Sequence, residues 1–288
     1  MSGLGTVLVT GATGTVGSVL ARLLAENGTS VRAVSRRGLS PDPKAKGIDV
    51  RAVDLREPQA VAAALTGVQR LFLATPLEED MAAVAARVVE QARRAGVRQV
   101  VRLSAFGAGG GATRLAAIHA QTEECLRRSG LAWVSLRPNA FMQNTIGEFA
   151  GSIRRHSRFH APQGDGRVSV IDARDVAAVA ARLLTQSPPT TGCFDLTGPE
   201  ALSNHDIASL LTQALGHPVD YLDTPPGETR ATLLAAGASR WLTDIVMELY
   251  ELSARGGAAR VSSQVSELLG RPPIAFRQFA ADHVDAFR

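Results

Sequence analysis

Thr6-Val7-Leu8-Val9-Thr10, followed at once by Gly11-Ala12-Thr13-Gly14-Thr15-Val16-Gly17, is the stretch of sequence that decides the fold. Its first five residues are apolar or β-branched, which is typical of a buried strand. Three glycines then follow at the spacing G-x-x-G-x-x-G, before an amphipathic stretch that runs from residue 18 to residue 27. A strand, a glycine turn and a helix in this order predict the opening unit of a dinucleotide-binding fold.

Each glycine of the turn meets a separate physical demand of that fold. Gly11 can adopt the tight turn that leaves the strand, and Gly14 lets a pyrophosphate approach the backbone without meeting a Cβ atom. Gly17 lets the helix lie close to the strand, and the helix N-terminus offers unpaired N–H groups to the phosphates. The predicted phosphate-binding residues are Gly11, Thr13, Gly14, Thr15, Val16 and Gly17.

The composition is that of a globular chain, because 45% of its 288 residues are hydrophobic and no apolar run is long enough to span a bilayer. No signal peptide is evident at the start, and Cys125 and Cys193 are its only cysteines. We therefore expect a cytoplasmic protein with no membrane partner and no metal site. The net charge of +4 is dispersed among acidic residues, so we expect no nucleic-acid partner.

Strand and helix patterns alternate through the first half of the chain. The strand candidates are 6–10, 30–35, 49–53, 70–75, 98–104 and 132–136, and the helix candidates are 16–26, 58–65, 79–95 and 113–129. Repeated βα units predict an α/β fold, a Rossmann-type doubly wound parallel sheet.

The second half predicts a smaller, mainly helical C-terminal lobe. Strands are expected at Arg167–Ile171 and Gly192–Leu196, and helices at 173–184 and 204–215, the second of them capped by Ser203. We assign residues 1–140 to the nucleotide-binding core, with 167–197 returning to the sheet. Residues 141–166 and 198–288 then form the smaller, substrate-binding lobe.

The end of the second strand selects between NAD and NADP. It reads Ser35-Arg36-Arg37, and no acidic residue follows before Asp42. Arginines at this place pair with a 2′-phosphate, whereas an acidic residue would bind the ribose hydroxyl of NAD. The cofactor is therefore predicted to be NADPH/NADP, although a solvated basic turn would show the same residues.

Other strand ends supply further candidates, since open α/β sheets bind ligands at the carboxyl ends of their strands. Each candidate also fits an ordinary strand-end cap. The expected cofactor contacts there are Asp54 and Leu55 after the third strand, Thr75 and Pro76 after the fourth, Ser104 after the fifth and Asn139 after the sixth.

The inventory of tyrosines and lysines excludes one common catalytic device. Many dehydrogenases on this scaffold use a Tyr-x-x-x-Lys pair near the fifth strand. Here the tyrosines are Tyr221 and Tyr250 and the lysines are Lys44 and Lys46, so no such pair exists.

The helix after the fifth strand carries a family resemblance that extends over nearly the whole chain. With the glycine turn, its motifs are His119-x-x-x-Glu123, Ser129-Gly130-Leu131, Leu136-Arg137-Pro138-x-x-Phe141-Met142-x-Asn144 and Leu196-Thr197-Gly198-Pro199-Glu200-Ala201-Leu202. These resemble the NmrA-like atypical short-chain dehydrogenases. The resemblance implies either an NADPH-dependent quinone, dye or enone reductase or a regulator that binds NADP without turnover.

The resemblance also bears on the proton donor. Related isoflavone-reductase-like enzymes carry a catalytic lysine where this chain has His119, so His119 is the candidate general acid and Ser104 the second catalytic candidate. A plain alternative is a helix histidine paired with Glu123. The glycine-rich loop 106–112 is either a lid or a flexible connection. Phe106, Phe141 and Asn144 are candidate substrate contacts.

The sequence thus favours a reductase that transfers hydride to a conjugated carbonyl, a quinone or an imine. The substrate is expected to be a small aromatic or quinonoid molecule. An NADP(H)-sensing regulator and a tailoring enzyme of secondary metabolism are the alternatives. We expect a monomer or a homodimer.

Overall fold

The computed structural model describes residues 5–36 and 47–288. The chain divides into two compact units. Unit 1 comprises Met1–Gly110, Ala116–Arg137 and Val176–Phe194, and unit 2 comprises Gly111–Leu115, Pro138–Asp175 and Asp195–Arg288.

A seven-stranded sheet organises the fold. The strands of the described residues are β1 Thr6–Val9, β2 Val31–Ser35, β3 Ile48–Ala52, β4 Val68–Leu73, β5 Gln99–Leu103, β6 Ala132–Pro138, β7 Arg158–Ala161, β8 Gly192–Leu196 and β9 Asp220–Asp223. The large sheet has the order β3-β2-β1-β4-β5-β6-β8, and β7 pairs with β9 in a second, two-stranded sheet. Strands β1 to β6 pair in parallel. The strand order reverses at β1 and β4, so the predicted Rossmann-type sheet is confirmed.

Helices connect and cover these strands. They are α1 Gly17–Glu26, α2 Pro58–Leu65, α3 Met81–Arg94, α4 Arg114–Arg128, α5 Asn144–His156, α6 Ala173–Thr185, α7 Asn204–Leu215, α8 Pro226–Ala235, α9 Arg240–Ala254, α10 Gln264–Leu269, α11 Phe276–Asp282 and α12 Val284–Phe287. Among the described residues, none of these helices combines the length and apolar character needed to cross a bilayer.

The core of unit 1 follows from apolar strands buried on both faces. Val7, Leu8 and Val9 of β1 are at most 2% exposed, as are Leu71 and Phe72 of β4. Such continuous apolar runs are typical of central parallel strands that helices cover on both sides. Burial of these apolar residues therefore holds the centre of the sheet together.

Unit 2 has an aromatic core of its own. The rings of Phe149 and Phe159 stack with centroids 4.5 Å apart, and Tyr221 packs against Phe159 at 5.4 Å. The predicted cap of α7 is confirmed, because Ser203 and Asp206 form a reciprocal capping box. The helical C-terminal region begins at Pro226, and this part of the prediction is also confirmed.

The predicted strand at Arg167–Ile171 is wrong. Only two isolated bridges occur there, between Val168 and Leu202 and between Phe141 and Ile171. The backbone N–H of Ser169 donates instead to the Ala258 carbonyl of a distant loop, at 3.1 Å. The apolar run is buried because it lies in the core of unit 2, and its hydrogen bonds go to several separate segments rather than to one neighbouring strand.

Candidate active site

Local geometry constrains the three glycines of the turn between β1 and α1 to different degrees. A Cβ atom on Gly17 would lie 2.3 Å from the carbonyl oxygen of Gly11, and one on Gly14 would lie 3.1 Å from the same atom. Gly11 itself has φ +60°, which L side chains rarely adopt. The backbone at Gly11, Gly14 and Gly17 therefore packs closely at the carboxyl end of the central strand β1.

The outer surface of this turn fits an anionic group. Thr13, Gly14 and Thr15 are exposed, and Val16 at the N-cap of α1 provides no side-chain cap. The first turn of α1 also contains no acidic residue. The helix N-terminus therefore presents its N–H groups and its positive dipole end without a competing carboxylate, as a bound pyrophosphate requires.

Thr10 fastens the two strands at which the sheet order reverses. Its hydroxyl donates to the Ala74 carbonyl, and the Ala74 N–H donates back to Thr10 Oγ1, both at 2.8 Å. Thr75 and Pro76 follow directly after Ala74. These bonds hold the ends of β1 and β4 at the crevice where such sheets bind their ligands.

The end of β2 carries the predicted phosphate-recognition residues. Ser35 is buried, whereas the Arg36 side chain is half exposed and forms an ion pair with Glu78 at 3.1 Å. Arg37 lies outside the described residues. Both groups of this ion pair are accessible to solvent.

Asp54 and Leu55 follow β3 as expected. The Asp54 carboxylate accepts a hydrogen bond from the backbone N–H of Arg56 at 2.9 Å, which is the ordinary strand-end cap. Leu55 packs beside the core of unit 1. Arg56 binds Glu78 and Asp80, and its guanidinium holds the pKa of Asp80 below the ordinary value.

Behind the end of β5, Glu123 of α4 accepts hydrogen bonds from three side chains, of which the Cys193 thiol is the most distant, with its Sγ 3.8 Å from Oε2. Ser104 donates to its Oε1 at 2.7 Å, and the Arg137 guanidinium donates to both carboxylate oxygens, with Nε 2.9 Å from Oε1. Burial alone would raise the pKa of Glu123, but the hydrogen bonds from Arg137 and Ser104 outweigh it and the pKa is lowered. Glu123 is therefore a buried carboxylate at neutral pH.

His119 differs from both sequence-based expectations. It is 7% exposed, and burial and then the nearby Arg102 charge lower its pKa to about 3. Its ring therefore carries no positive charge near pH 7, because the protonated form would be desolvated beside another cation. The alternative pairing with Glu123 is replaced by the bonds that Glu123 makes to Ser104 and Arg137.

The remaining candidates have mixed surroundings. In unit 2, Asn139 donates to Ser169 Oγ and to the Ala258 carbonyl, both at 2.8 Å, so its amide is occupied inside that unit. Phe141 is half-buried and Asn144 is exposed at the start of α5. The two hydrogen bonds of the Asn139 amide stabilise unit 2, a role that the sequence did not indicate.

The glycine-rich loop begins in unit 1 with Phe106, which is half-buried. A Cβ atom on Gly109 would lie 3.1 Å from Arg137 Nη1. The loop thus passes over the guanidinium that holds Glu123, and glycine at 109 makes this approach possible.

Sequence reasoning missed several buried or perturbed polar groups. Arg102 is 1% exposed within β5, and its signal was an arginine in the middle of the apolar run 100–103. In unit 2 the Tyr250 hydroxyl donates to Glu148 at 3.2 Å, and desolvation raises the pKa of both groups. Sequence spacing could not predict that pair, because Glu148 lies on α5 and Tyr250 on α9.

Metal-binding chemistry has no candidate among the described residues, which hold no group of three or more His, Cys, Asp or Glu side chains fit for an ion. The exposed, uncapped turn instead fits the pyrophosphate of a dinucleotide.

Comparisons with known proteins agree with this geometry. The NAD(P)H-binding family matches residues 11–187. An NAD(P)H azoreductase of Xenophilus azovorans is 36% identical over 283 residues, which are 98% of this chain and 99% of that protein. A (4-alkanoyl-5-oxo-2,5-dihydrofuran-3-yl)methyl phosphate reductase of Streptomyces griseus is 34% identical, with coverage of 98% and 99%.

Solved structures show the same fold. The quinone oxidoreductase QOR2 of Escherichia coli superposes with a TM-score of 0.82 at 26% identity, covering 96% of this chain and 99% of that one. A mutant NmrA superposes with a TM-score of 0.75 at 17% identity, which shows the fold alone. The expected nicotinamide dinucleotide cofactor is thereby confirmed. The chain belongs to the NAD(P)H-binding family.

Proposed function

We propose that the chain is an NADPH-dependent reductase that transfers hydride to a small quinone or dye-like acceptor. The observation that carries this proposal is the 36% identity to an NAD(P)H azoreductase across 98% of the chain. The glycine turn supports it independently, because its exposed and uncapped helix N-terminus fits a pyrophosphate.

The proposal gives the strand ends of unit 1 defined tasks. Residues of the turn bind the pyrophosphate, Arg36 binds the 2′-phosphate, and Thr75 with Pro76 lies beside the ribose. Asp54 and Leu55 stay candidates for the adenine side. When bound, NADPH supplies the hydride, and Phe106, Phe141 and Asn144 stay candidate substrate contacts.

The acid and base groups of the chain limit the classes of hydride acceptor that it can reduce. His119 is unprotonated near neutral pH because its pKa is about 3, and the chain has no Tyr-x-x-x-Lys pair. Catalysis would then rest on positioning and on electrostatics rather than on a strong general acid. Acceptors that take up hydride without prior protonation, such as quinones and electron-poor conjugated dyes, suit this inventory best.

A direct test supplies NADPH with a panel of quinones, azo dyes, triarylmethane dyes and enones and follows absorbance at 340 nm. We expect turnover with at least one quinone or dye and little with simple ketones, which need protonation. Tight binding of both NADP⁺ and NADPH without turnover across the panel would favour the regulator instead. Cytoplasmic location and a monomeric or homodimeric state stay predictions.

A further inference from the structure

Unit 1 contains a polar layer between α4 and the sheet, which we define as Arg102, Ser104, His119, Thr122, Glu123, Ser135 and Arg137. Ser104 and Arg137 both bind Glu123 of α4, so these strand residues face that helix. Side chains two residues apart on a strand share a face. Arg102 and Ser135, which are register partners on β5 and β6, therefore face α4 as well.

The charges of this layer do not balance. Arg102 and Arg137 are cationic, while Glu123 is the layer's one acidic group and both of its oxygens are taken by Arg137. Burial lowers the pKa of Arg102 to about 10, which still leaves it charged at neutral pH. The layer therefore holds one buried positive charge without a hydrogen-bonded counter-charge.

Its hydrogen bonds do not balance either. Arg102 Nη1 and Nη2, His119 Nδ1, Thr122 Oγ1 and Ser135 Oγ are all buried without a partner among the residues that the structure describes. Native proteins rarely leave one such atom unsatisfied, and a bound water or ion is the usual explanation. Water would complete the hydrogen bonds, but it would leave the Arg102 charge uncompensated, and burying an unpaired ion is strongly unfavourable.

An anion satisfies both conditions at once. The unpartnered guanidinium is a donor with a full positive charge, and two hydroxyls and a neutral imidazole can each donate a further hydrogen bond. A divalent anion would overcompensate the single excess charge. The geometry points to a site for one small monovalent inorganic anion of the chloride class, held by Arg102 Nη1 and Nη2 with donors from the group His119, Thr122 and Ser135.

This site is independent of the proposed function, because it needs neither NADPH nor an acceptor. Bromide is its most direct probe, since it matches chloride in charge and scatters anomalously. Crystals grown without other halides and soaked in bromide should show one anomalous peak within hydrogen-bond distance of the Arg102 guanidinium. Ordered water alone at that place, with no anomalous signal, would overturn the inference.

A solution test uses stability at constant ionic strength, with gluconate replacing chloride. Between about 5 and about 500 mM chloride, the unfolding equilibrium constant of the wild type should fall about tenfold, in inverse proportion to 1 + [Cl⁻]/Kd, as one-site linkage requires. Arg102→Met should abolish this dependence. Arg128→Met removes an exposed arginine of α4 and should keep it.

The crystal test and the solution test are independent of each other. If Arg102→Met does not fold, the bromide map of the wild type still decides the question. An equal chloride response in wild type and Arg102→Met, or no response in the wild type, would contradict the proposed site, because a general salt effect does not depend on one buried guanidinium.

Discussion

The glycine turn after β1 and the polar layer behind β5 lie in the same unit, but the turn is formed by backbone groups and the layer by side chains. The turn consists of backbone, with three exposed positions and no charged side chain at the helix start. The polar layer consists of side chains, nearly all buried, with two arginines for one glutamate. A backbone site needs only glycines at fixed spacing, whereas a side-chain site depends on which strands become neighbours.

This difference predicts how each region responds to mutation. Changes in the turn should alter ligand binding more than folding, because its outer surface contacts solvent. Changes in the polar layer should alter folding first, because they leave a charge buried and unpaired. Four substitutions test this contrast.

The largest effect is expected from Glu123→Ala. It removes the carboxylate that binds Arg137 and leaves the buried Arg102 without the layer's acidic group, and removing one partner of a buried pair costs about 3–5 kcal/mol. Glu124→Ala is the matched control, because the neighbouring glutamate pairs with Arg127 and Arg128 on the surface, where such pairs are worth less than about 1 kcal/mol. Urea unfolding measures both, and equal losses would remove the contrast between a buried layer and an exposed face.

Gly14→Val tests the turn. Its side chain would occupy the path of the pyrophosphate, so NADPH affinity should fall by at least about 100-fold, at a loss of a few hydrogen bonds worth about 1 kcal/mol or more each. The circular dichroism spectrum should stay near that of the wild type.

Gly227→Val serves as its control, because a Cβ atom at that position of α8 has nothing within 4 Å. Calorimetry with NADPH separates the two variants. Normal binding by Gly14→Val would show that the phosphate site is elsewhere.

His119 links the polar layer to pH. Its folded pKa of about 3 lies below the ordinary 6.5, so the unfolded chain binds a proton first as pH falls. Stability is therefore fully present above pH 6.5 and declines toward pH 3, by up to about 1.4 kcal/mol per pH unit from this group. His119→Leu should remove that slope between pH 6.5 and 4.5, when unfolding is measured in low-chloride buffer.

The exposed His217 provides the control for this experiment, since His217→Gln should keep the wild-type slope. An unchanged slope in His119→Leu would mean that His119 has nearly the same pKa in the folded and the unfolded protein. The sequence-based view of His119 as a general acid titrating near pH 7 would then return.

The smallest effect is expected from Arg36→Ala. It removes one charge-assisted phosphate contact, so NADPH affinity should fall about tenfold while NADH affinity stays unchanged. The Arg36–Glu78 ion pair is half exposed and its loss should hardly change stability. Equal losses for both cofactors would assign 2′-phosphate recognition to another residue.

The sequence predicted those features that short-range rules determine. The strand Gly192–Leu196 and the Ser203 cap of α7 were predicted at the positions where they occur, because capping and strand patterns involve neighbouring residues. The strand predicted at Arg167–Ile171 failed because burial there comes from long-range packing, which produces the same apolar pattern as a sheet.

The site divides along the same line. The glycine turn was evident from the spacing of its residues, whereas the burial and low pKa of His119 were not. Its low pKa results first from burial and then from the charge of Arg102, which lies 17 positions earlier on another element. Sequence spacing on α4 suggested Glu123 as its partner, but Ser104 after β5 and Arg137 of β6 donate to that carboxylate instead.

The bond from Ser104 to Glu123 fixes a direction as well as a distance. A serine hydroxyl has one proton, and here that proton points to an ionised carboxylate 2.7 Å away. Only the lone pairs of Ser104 Oγ are left for any other group. Ser104 can therefore accept a hydrogen bond from an N–H or O–H, but it cannot donate its proton to a carbonyl or an azo nitrogen while Glu123 stays ionised.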